Sequence, residues 1–230
     1  PNLVATRVKL QEGLIARSQN CWPSPAFDLG SFTRFLSPFI TAGFYYKTFM
    51  RPKWAWMKYE YLIRQMAGFG VAPKQPDPDI YDKRFLHCDL LIVGAGPAGL
   101  CAAKTAATSG ARVILCDEDY ITGGSLLGED VRLNGMPGHQ WAWAVTDELR
   151  ALGNVDVLTS TTVFNYSDHN YLVAISDNPE TEISRKTLLK IRCKQVILAT
   201  GSIEASQLFD GNDLPGVMLA GSVRTYINRY

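Results

Sequence analysis

The chain has 230 residues, with 23 Lys and Arg against 22 Asp and Glu and a formal charge of +1. Its apolar fraction of 47% and charged fraction of 20% are those of an ordinary globular protein. They exclude a disordered tail, a collagen-like repeat and a strongly basic nucleic-acid binder, and no apolar run reaches the roughly 18 residues of a bilayer-spanning helix.

The N-terminus, Pro1-Asn2-Leu3-Val4-Ala5-Thr6-Arg7, has no Met and no charged, apolar and small-residue succession of a secretion signal. It reads as a fragment or a processed chain. Cys21, Cys88, Cys101, Cys116 and Cys193 are widely spaced, with no CxxC. Reduced, buried cysteines in a cytoplasmic protein are expected rather than a disulfide framework or a zinc or iron–sulfur site. His87, His139 and His169 form no metal-binding spacing.

In chain order, residues 1–70 form an irregular, aromatic-rich segment. Pro23, Pro25, Pro38 and Pro52 interrupt any long element. Aromatic and basic residues alternate from Phe44 to Arg64. Stacking on nucleic acid would need a basic groove, which the near-zero net charge does not supply, so no nucleic-acid partner is expected. Such rings suit an interdomain or intersubunit contact. A helix is expected over 54–66, stopped by Gly68 and Gly70. Three prolines between 71 and 79 mark 71–85 as a semi-rigid linker.

From 86 to 230 the pattern is that of a dinucleotide-binding domain, truncated at its C-terminus. Residues 88–93 form a short apolar run that fits a buried parallel strand. Residues 97–109 are Ala-rich and helix-prone up to Gly110, and 111–116 form a second strand. A helix over 140–152 follows. Strands are expected over 155–161 and 171–176, and further strands within 190–199, the last over 195–199, with a hairpin or meander turning at Ser167-Asp168-His169-Asn170. The fold class is α/β: a Rossmann-like FAD/NAD(P)-binding domain with a parallel sheet and an inserted β-meander.

The sharpest motif is Gly94-Ala95-Gly96-Pro97-Ala98-Gly99, placed between a strand and a helix. Gly94 permits the turn, Gly96 lets backbone approach a diphosphate, and Gly99 lets the helix pack on the sheet. The helix N-terminus offers N–H groups to the anion, and Pro97 costs little in the first turn. Asp117, 23 residues after Gly94, sits where a carboxylate accepts hydrogen bonds from ribose hydroxyls and repels a 2′-phosphate. NAD or FAD is therefore favoured over NADP, and Glu118 can share or replace that role. Gly123, Gly124 and Ser125 follow in a loop where the nucleotide can lie close to backbone. Thr200 and Gly201, after the last strand, return the chain to the same place. No hydrolase-type nucleophile is present, so any redox chemistry belongs to the cofactor.

The flanks are more specific. Residues 18–24 (SQNCWPS), 42–50 (AGFYYKTFM), 124–127 (GSLL), 213–221 (DLPGVMLAG) and 223–230 (VRTYINRY) resemble the alpha subunit of heterotetrameric sarcosine oxidase, a likeness covering essentially the whole chain. The resemblance implies a much longer subunit with a cluster-free ferredoxin-like region, an NAD-holding domain and a folate-binding domain. It also implies partner beta, gamma and delta subunits, FAD and FMN elsewhere in the complex, and oxidative demethylation of sarcosine with tetrahydrofolate as one-carbon acceptor. The amine-oxidising site would lie outside this chain, so no catalytic residue is carried over. By position, Gly94, Gly96, Gly99, Asp117, Glu118, Gly123 and Gly124 match the family's dinucleotide motif. Two departures stand out: Ser202-Ile203-Glu204 replaces an expected Glu-Arg-Pro triplet, and Cys21 stands where a basic residue is common. Alternatives are the alpha-like subunit of an opine oxidase, a dye-linked proline dehydrogenase or a cyanide synthase, or a non-enzymatic scaffold stabilised by its dinucleotide.

Overall fold

The computed structural model describes residues 10, 12–15, 21–36, 38, 43, 49, 51–68, 74–77, 80–177, 184–212 and 216–230. The chain divides into two units, Pro1–Asp77 and Pro78–Tyr230.

In the first unit a two-residue antiparallel pair joins Pro23–Ser24 to Phe27–Asp28. The Asp28 carboxylate fastens it by accepting the N–H groups of Trp22 and Gly30 at 3.0 and 2.9 Å. A 3-10 helix follows over Leu29–Leu36. Helix α1 spans Trp56–Met66, with a 3-10 turn over Lys53–Ala55 before it. Within α1 the Arg64 side chain donates to Glu60 at 2.9 Å, an i,i+4 pair. Trp54 and Tyr61 are exposed. Most of the 42–50 stretch, and residues 18–20, lie outside the described residues.

The second unit is built on one six-stranded sheet. Strand β1 spans Ile80–Val93, helix α2 Pro97–Thr108 and strand β2 Val113–Cys116. A small antiparallel pair, Arg132–Leu133 with Met136–Pro137, precedes helix α3, Gly138–Arg150. Strands β3 (Val155–Leu158), β4 (Thr161–Ser167), β5 (Tyr171–Ser176) and β6 (Ser184–Leu198) follow, then helix α4, Ala220–Arg229. The sheet order is β3-β2-β1-β6-β5-β4. The pairs β3/β2, β2/β1 and β1/β6 are parallel, and β6/β5 and β5/β4 are antiparallel.

This is the expected α/β fold with its meander, but three boundaries move. Ile80–Phe85 were expected inside the 71–85 linker; they are strand instead, in register with β6. Pairing along a long partner strand satisfies their backbone, which an isolated reading of the prolines did not anticipate. Strand β6 begins at Ser184 rather than 190 for the same reason. The strand expected over 155–161 is divided between β3 and β4, with Ser160 at φ 49° at the break. The hairpin turn is where it was expected, with His169 and Asn170 in the left-handed region.

Both faces of the sheet are covered. Leu90, Ile92, Val113, Leu115 and Val155 pack with Leu100, Ala103 and Ala107 of α2 and with Ala142, Val145 and Leu149 of α3. On the other face, Leu91, Ile114 and Cys116 meet Leu172, Ala174, Leu189 and Ile191 of the meander. Burial on both sides explains why the end of β1, Leu90 to Val93, reads as an unbroken apolar run. A buried Leu such as Leu100 contributes about 1.5–3 kcal/mol.

Candidate dinucleotide site

The site lies at the carboxyl ends of β1, β2 and β6. There β1 continues to β2 on one side and β6 pairs on the other, the switch point at which open α/β sheets bind ligands. Gly94 leaves β1 at φ +105°, a conformation that glycine adopts without strain. A Cβ on it would stand 2.2 Å from the Ala199 carbonyl oxygen, so the end of β6 presses directly on the turn. Gly99 is fixed by packing, since a Cβ there would lie 1.8 Å from the Gly94 carbonyl oxygen.

Gly96 differs from both. It caps α2 in extended backbone, φ −74° and ψ −175°, with Pro97 beginning the helix. Its added Cβ would meet only the Gly124 Cα, at 3.9 Å. The missing side chain is thus demanded by no neighbour, and the space in front of it is open. Among the described residues, no hydrogen bond takes the N–H of Gly96 or Ala98. These are the open donors that a helix N-terminus presents to an anion. An uncluttered glycine beside free N–H groups fits a dinucleotide's diphosphate.

Asp117 sits just past β2. Its Oδ2 accepts the Ala95 N–H at 2.5 Å and its Oδ1 accepts the Asp119 N–H at 2.8 Å. The carboxylate therefore holds the glycine loop to the strand end from within the protein, a role that the spacing did not disclose. Glu118 is the exposed neighbour at the same strand end. The Gly123 N–H donates to the Ala95 carbonyl at 2.9 Å. A Cβ on Gly124 would be 2.9 Å from the Gly96 Cα, so the second glycine loop rests on the first. The structure thus gathers Gly94, Gly96, Pro97, Ala98, Gly99, Asp117, Gly123, Gly124 and the Ala199–Thr200 turn. Ser125 and Gly201 adjoin them in the chain and are exposed.

Two contributors were missed. Asp119 is given no role by the sequence motifs. Its carboxylate accepts from both terminal nitrogens of Arg229 at 2.7 and 2.9 Å, and both side chains are largely buried. This bidentate pair raises the Arg229 pKa above its ordinary value, through hydrogen bonding to Asp119 first. The guanidinium also faces the rings of Tyr120 and Tyr230 at 5.6 and 5.3 Å. Helix α4 is held further by the Asn228 side chain, which donates to the Gly128 carbonyl at 2.9 Å. The signal in the sequence was the spacing of Val223, Tyr226, Ile227 and Tyr230, which suits a helix.

None of the five cysteines, all of them among the described residues, is joined in a disulfide. Cys88 and Cys116 are pushed up to about 12, chiefly by burial and then by neighbouring thiols: Cys193 for Cys88, and Cys88 for Cys116. Such thiols are inert. No group of three or more His, Cys, Asp or Glu that could hold a metal occurs among the described residues. No helix among them is long and apolar enough to cross a membrane.

Residues 88–229 match the family described as pyridine nucleotide-disulphide oxidoreductase. The chain belongs to this family. Its fold is that of FAD/NAD(P)-binding oxidoreductases. Over its whole length it is 49% identical to the sarcosine oxidase alpha subunit of Rhizobium meliloti (strain 1021), of which it covers 24%. It is 33% identical over 59% of its length to an opine oxidase subunit of Agrobacterium tumefaciens (strain Ach5), covering 28% of that protein. The chain thus spans about a quarter of the length of the curated relatives it matches. Among solved structures, L-proline dehydrogenase from P. horikoshii superposes with a TM-score of 0.52 at 22% identity, over 68% of this chain and 31% of the other. That likeness concerns the fold.

Proposed function

We propose that this chain is the dinucleotide-holding part of the alpha subunit of a flavin-dependent amine oxidoreductase of the sarcosine oxidase type. The carrying observation is the 49% identity to a sarcosine oxidase alpha subunit over the entire chain, including the stretch before residue 88 that the family match does not reach. The likeness to an opine oxidase subunit is lower and covers 59% of the chain. By this reading the complete protein oxidatively demethylates sarcosine with folate as one-carbon acceptor, together with beta, gamma and delta subunits in the cytoplasm. Five cysteines with no disulfide between them suit a reducing compartment.

In this chain the Gly96 and Ala98 N–H groups would hold the diphosphate, with Gly99 and Pro97 fixing the helix end behind them. Glu118 would take the ribose hydroxyls while Asp117 keeps the loop in place. Gly123, Gly124 and Ser125 would line one side of the nucleotide, and Thr200 and Gly201 the other. A carboxylate pair at the strand end disfavours a 2′-phosphate, which supports NAD, with FAD the alternative. A bound NAD or FAD can supply a hydride-accepting ring; here NAD is proposed to be held without turnover, while amine oxidation proceeds outside this chain. The test is peroxide formation by the purified full-length complex with sarcosine, opines and proline as substrates. Turnover of sarcosine without change in NADH absorbance is expected. Turnover of an opine or proline in its place would refute the substrate assignment, and an NADH signal would refute inert NAD.

A further inference from the structure

We infer that the outer face of the meander, far from the glycine loop, is a docking surface for an acidic face of another polypeptide. Side chains alternate between the two faces along β5, β6 and the first half of β1. Leu172, Ala174, Leu189 and Ile191 point into the core, so Tyr171, Val173, Ile175, Leu188, Lys190 and Arg192 occupy the other face. The parallel register places Lys83, Phe85 and His87 beside Leu188, Lys190 and Arg192. Two cation–π contacts confirm the shared face: Lys190 Nζ stands 5.3 Å from the Phe85 ring centre, and Arg192 Cζ 5.1 Å from that of Tyr171.

Among the described residues the face is both apolar and uncompensated in charge. Phe85 is 69% exposed in the middle of a strand. At one end Lys186 pairs with Asp177, and at the other Lys194 pairs with Asp89. Between them, among the described residues, no carboxylate lies within ion-pair distance of Lys83, Lys190 or Arg192. The patch runs from Tyr81 to His87, about 20 Å at roughly 3.3 Å per residue. Aromatic rings and Arg at the centre are what protein interfaces concentrate, and unpaired cations select a partner of opposite charge. A nucleic acid is disfavoured because the chain as a whole carries only +1. Phe85 precedes Val93, the last residue of β1, by a rise of about 25 Å, and the glycine loop lies beyond it. Occupancy of either place can therefore be measured separately.

The experiment uses the assembled complex of the full-length protein. A carbodiimide that joins amines directly to carboxylates is applied, and linked peptides are identified by mass. Links from Lys83 or Lys190 to Asp or Glu of another polypeptide are expected. The surface double variant Lys83→Glu with Arg192→Glu is expected to weaken capture of that polypeptide at least about tenfold at low salt, with dinucleotide content unchanged. If that variant fails to fold, Phe85→Ala serves for capture, since its ring leaves no core cavity. The proposal is overturned by links confined to this chain or to a second copy of it. It is also overturned by full acetylation of Lys83 and Lys190 in the intact complex, or by an oligonucleotide that binds the wild type and not the variant.

Discussion

Replacing single glycines of the loop by alanine separates ligand space from packing. Gly99→Ala places a Cβ 1.8 Å from the Gly94 carbonyl oxygen. Reaching 3.0 Å requires a shift of 3.0 − 1.8 = 1.2 Å in a helix packed on the sheet. Overpacking of this kind costs about 1–3 kcal/mol, or roughly 2–12 °C in Tm at about 2–4 °C per kcal/mol for a domain of this size. Gly96→Ala meets nothing closer than 3.9 Å and needs no change of backbone. Its loss as a helix cap, under about 1 kcal/mol, is offset by the stiffer unfolded chain, about 0.4–1 kcal/mol. The Tm without ligand should therefore stay within about 2 °C of wild type. Its methyl group fills the space facing the diphosphate, so dinucleotide affinity should fall at least about tenfold, or 1.4 kcal/mol. Thermal melts and calorimetric titration of NAD and FAD on the full-length protein read both quantities. Wild-type affinity in Gly96→Ala, or a wild-type melt in Gly99→Ala, would refute the division of roles.

Asp117→Ala should destabilise by about 1–3 kcal/mol, because it leaves the buried Ala95 N–H unpaired; chemical denaturation measures it, and Asp117→Asn, which keeps one oxygen, should lose less. Asp119→Ala and Arg229→Ala should not add: a double-mutant cycle by denaturation should give about 1–3 kcal/mol of coupling for this bidentate, largely buried pair. The raised Cys88 and Cys116 pKa values give stability that is complete below the ordinary thiol value of 9.0 and lost as pH rises toward about 12. Unfolding free energy should therefore fall above pH 9, and Cys88→Ala with Cys116→Ala should flatten that fall. Asp89 is held below its ordinary 3.8 by the Arg112 backbone N–H, then by Lys194 and the Arg112 side chain. Its contribution is present above that value and lost as pH falls further, so an Asp89→Asn variant should show a shallower acid transition.

The fold was legible wherever local pattern and tertiary demand agreed. The apolar run before Gly94, the Ala-rich helix stopped by Gly110 at φ +85° and the turn at His169-Asn170 each carry their cause within a few residues. The first half of β1 was not legible. Ile80–Phe85 are charged and aromatic, follow a proline-rich stretch, and become strand through a partner about 105 positions later. The glycines of the site were readable because phosphate and close packing both exclude side chains. The grip of Asp117 on Ala95 was not, since a backbone N–H leaves no mark in the sequence. Likewise the bond from Arg229 to Asp119 crosses 110 positions, and spacing is silent at that range.

The most direct measurement is diffraction from the full-length protein soaked with NAD. Phosphate oxygens should lie about 2.7–3.2 Å from the Gly96 and Ala98 amide nitrogens, with the adenosine ribose against Glu118. Nucleotide density elsewhere, with the space before Gly96 filled by a protein side chain, would contradict the assignment of this loop as the dinucleotide seat.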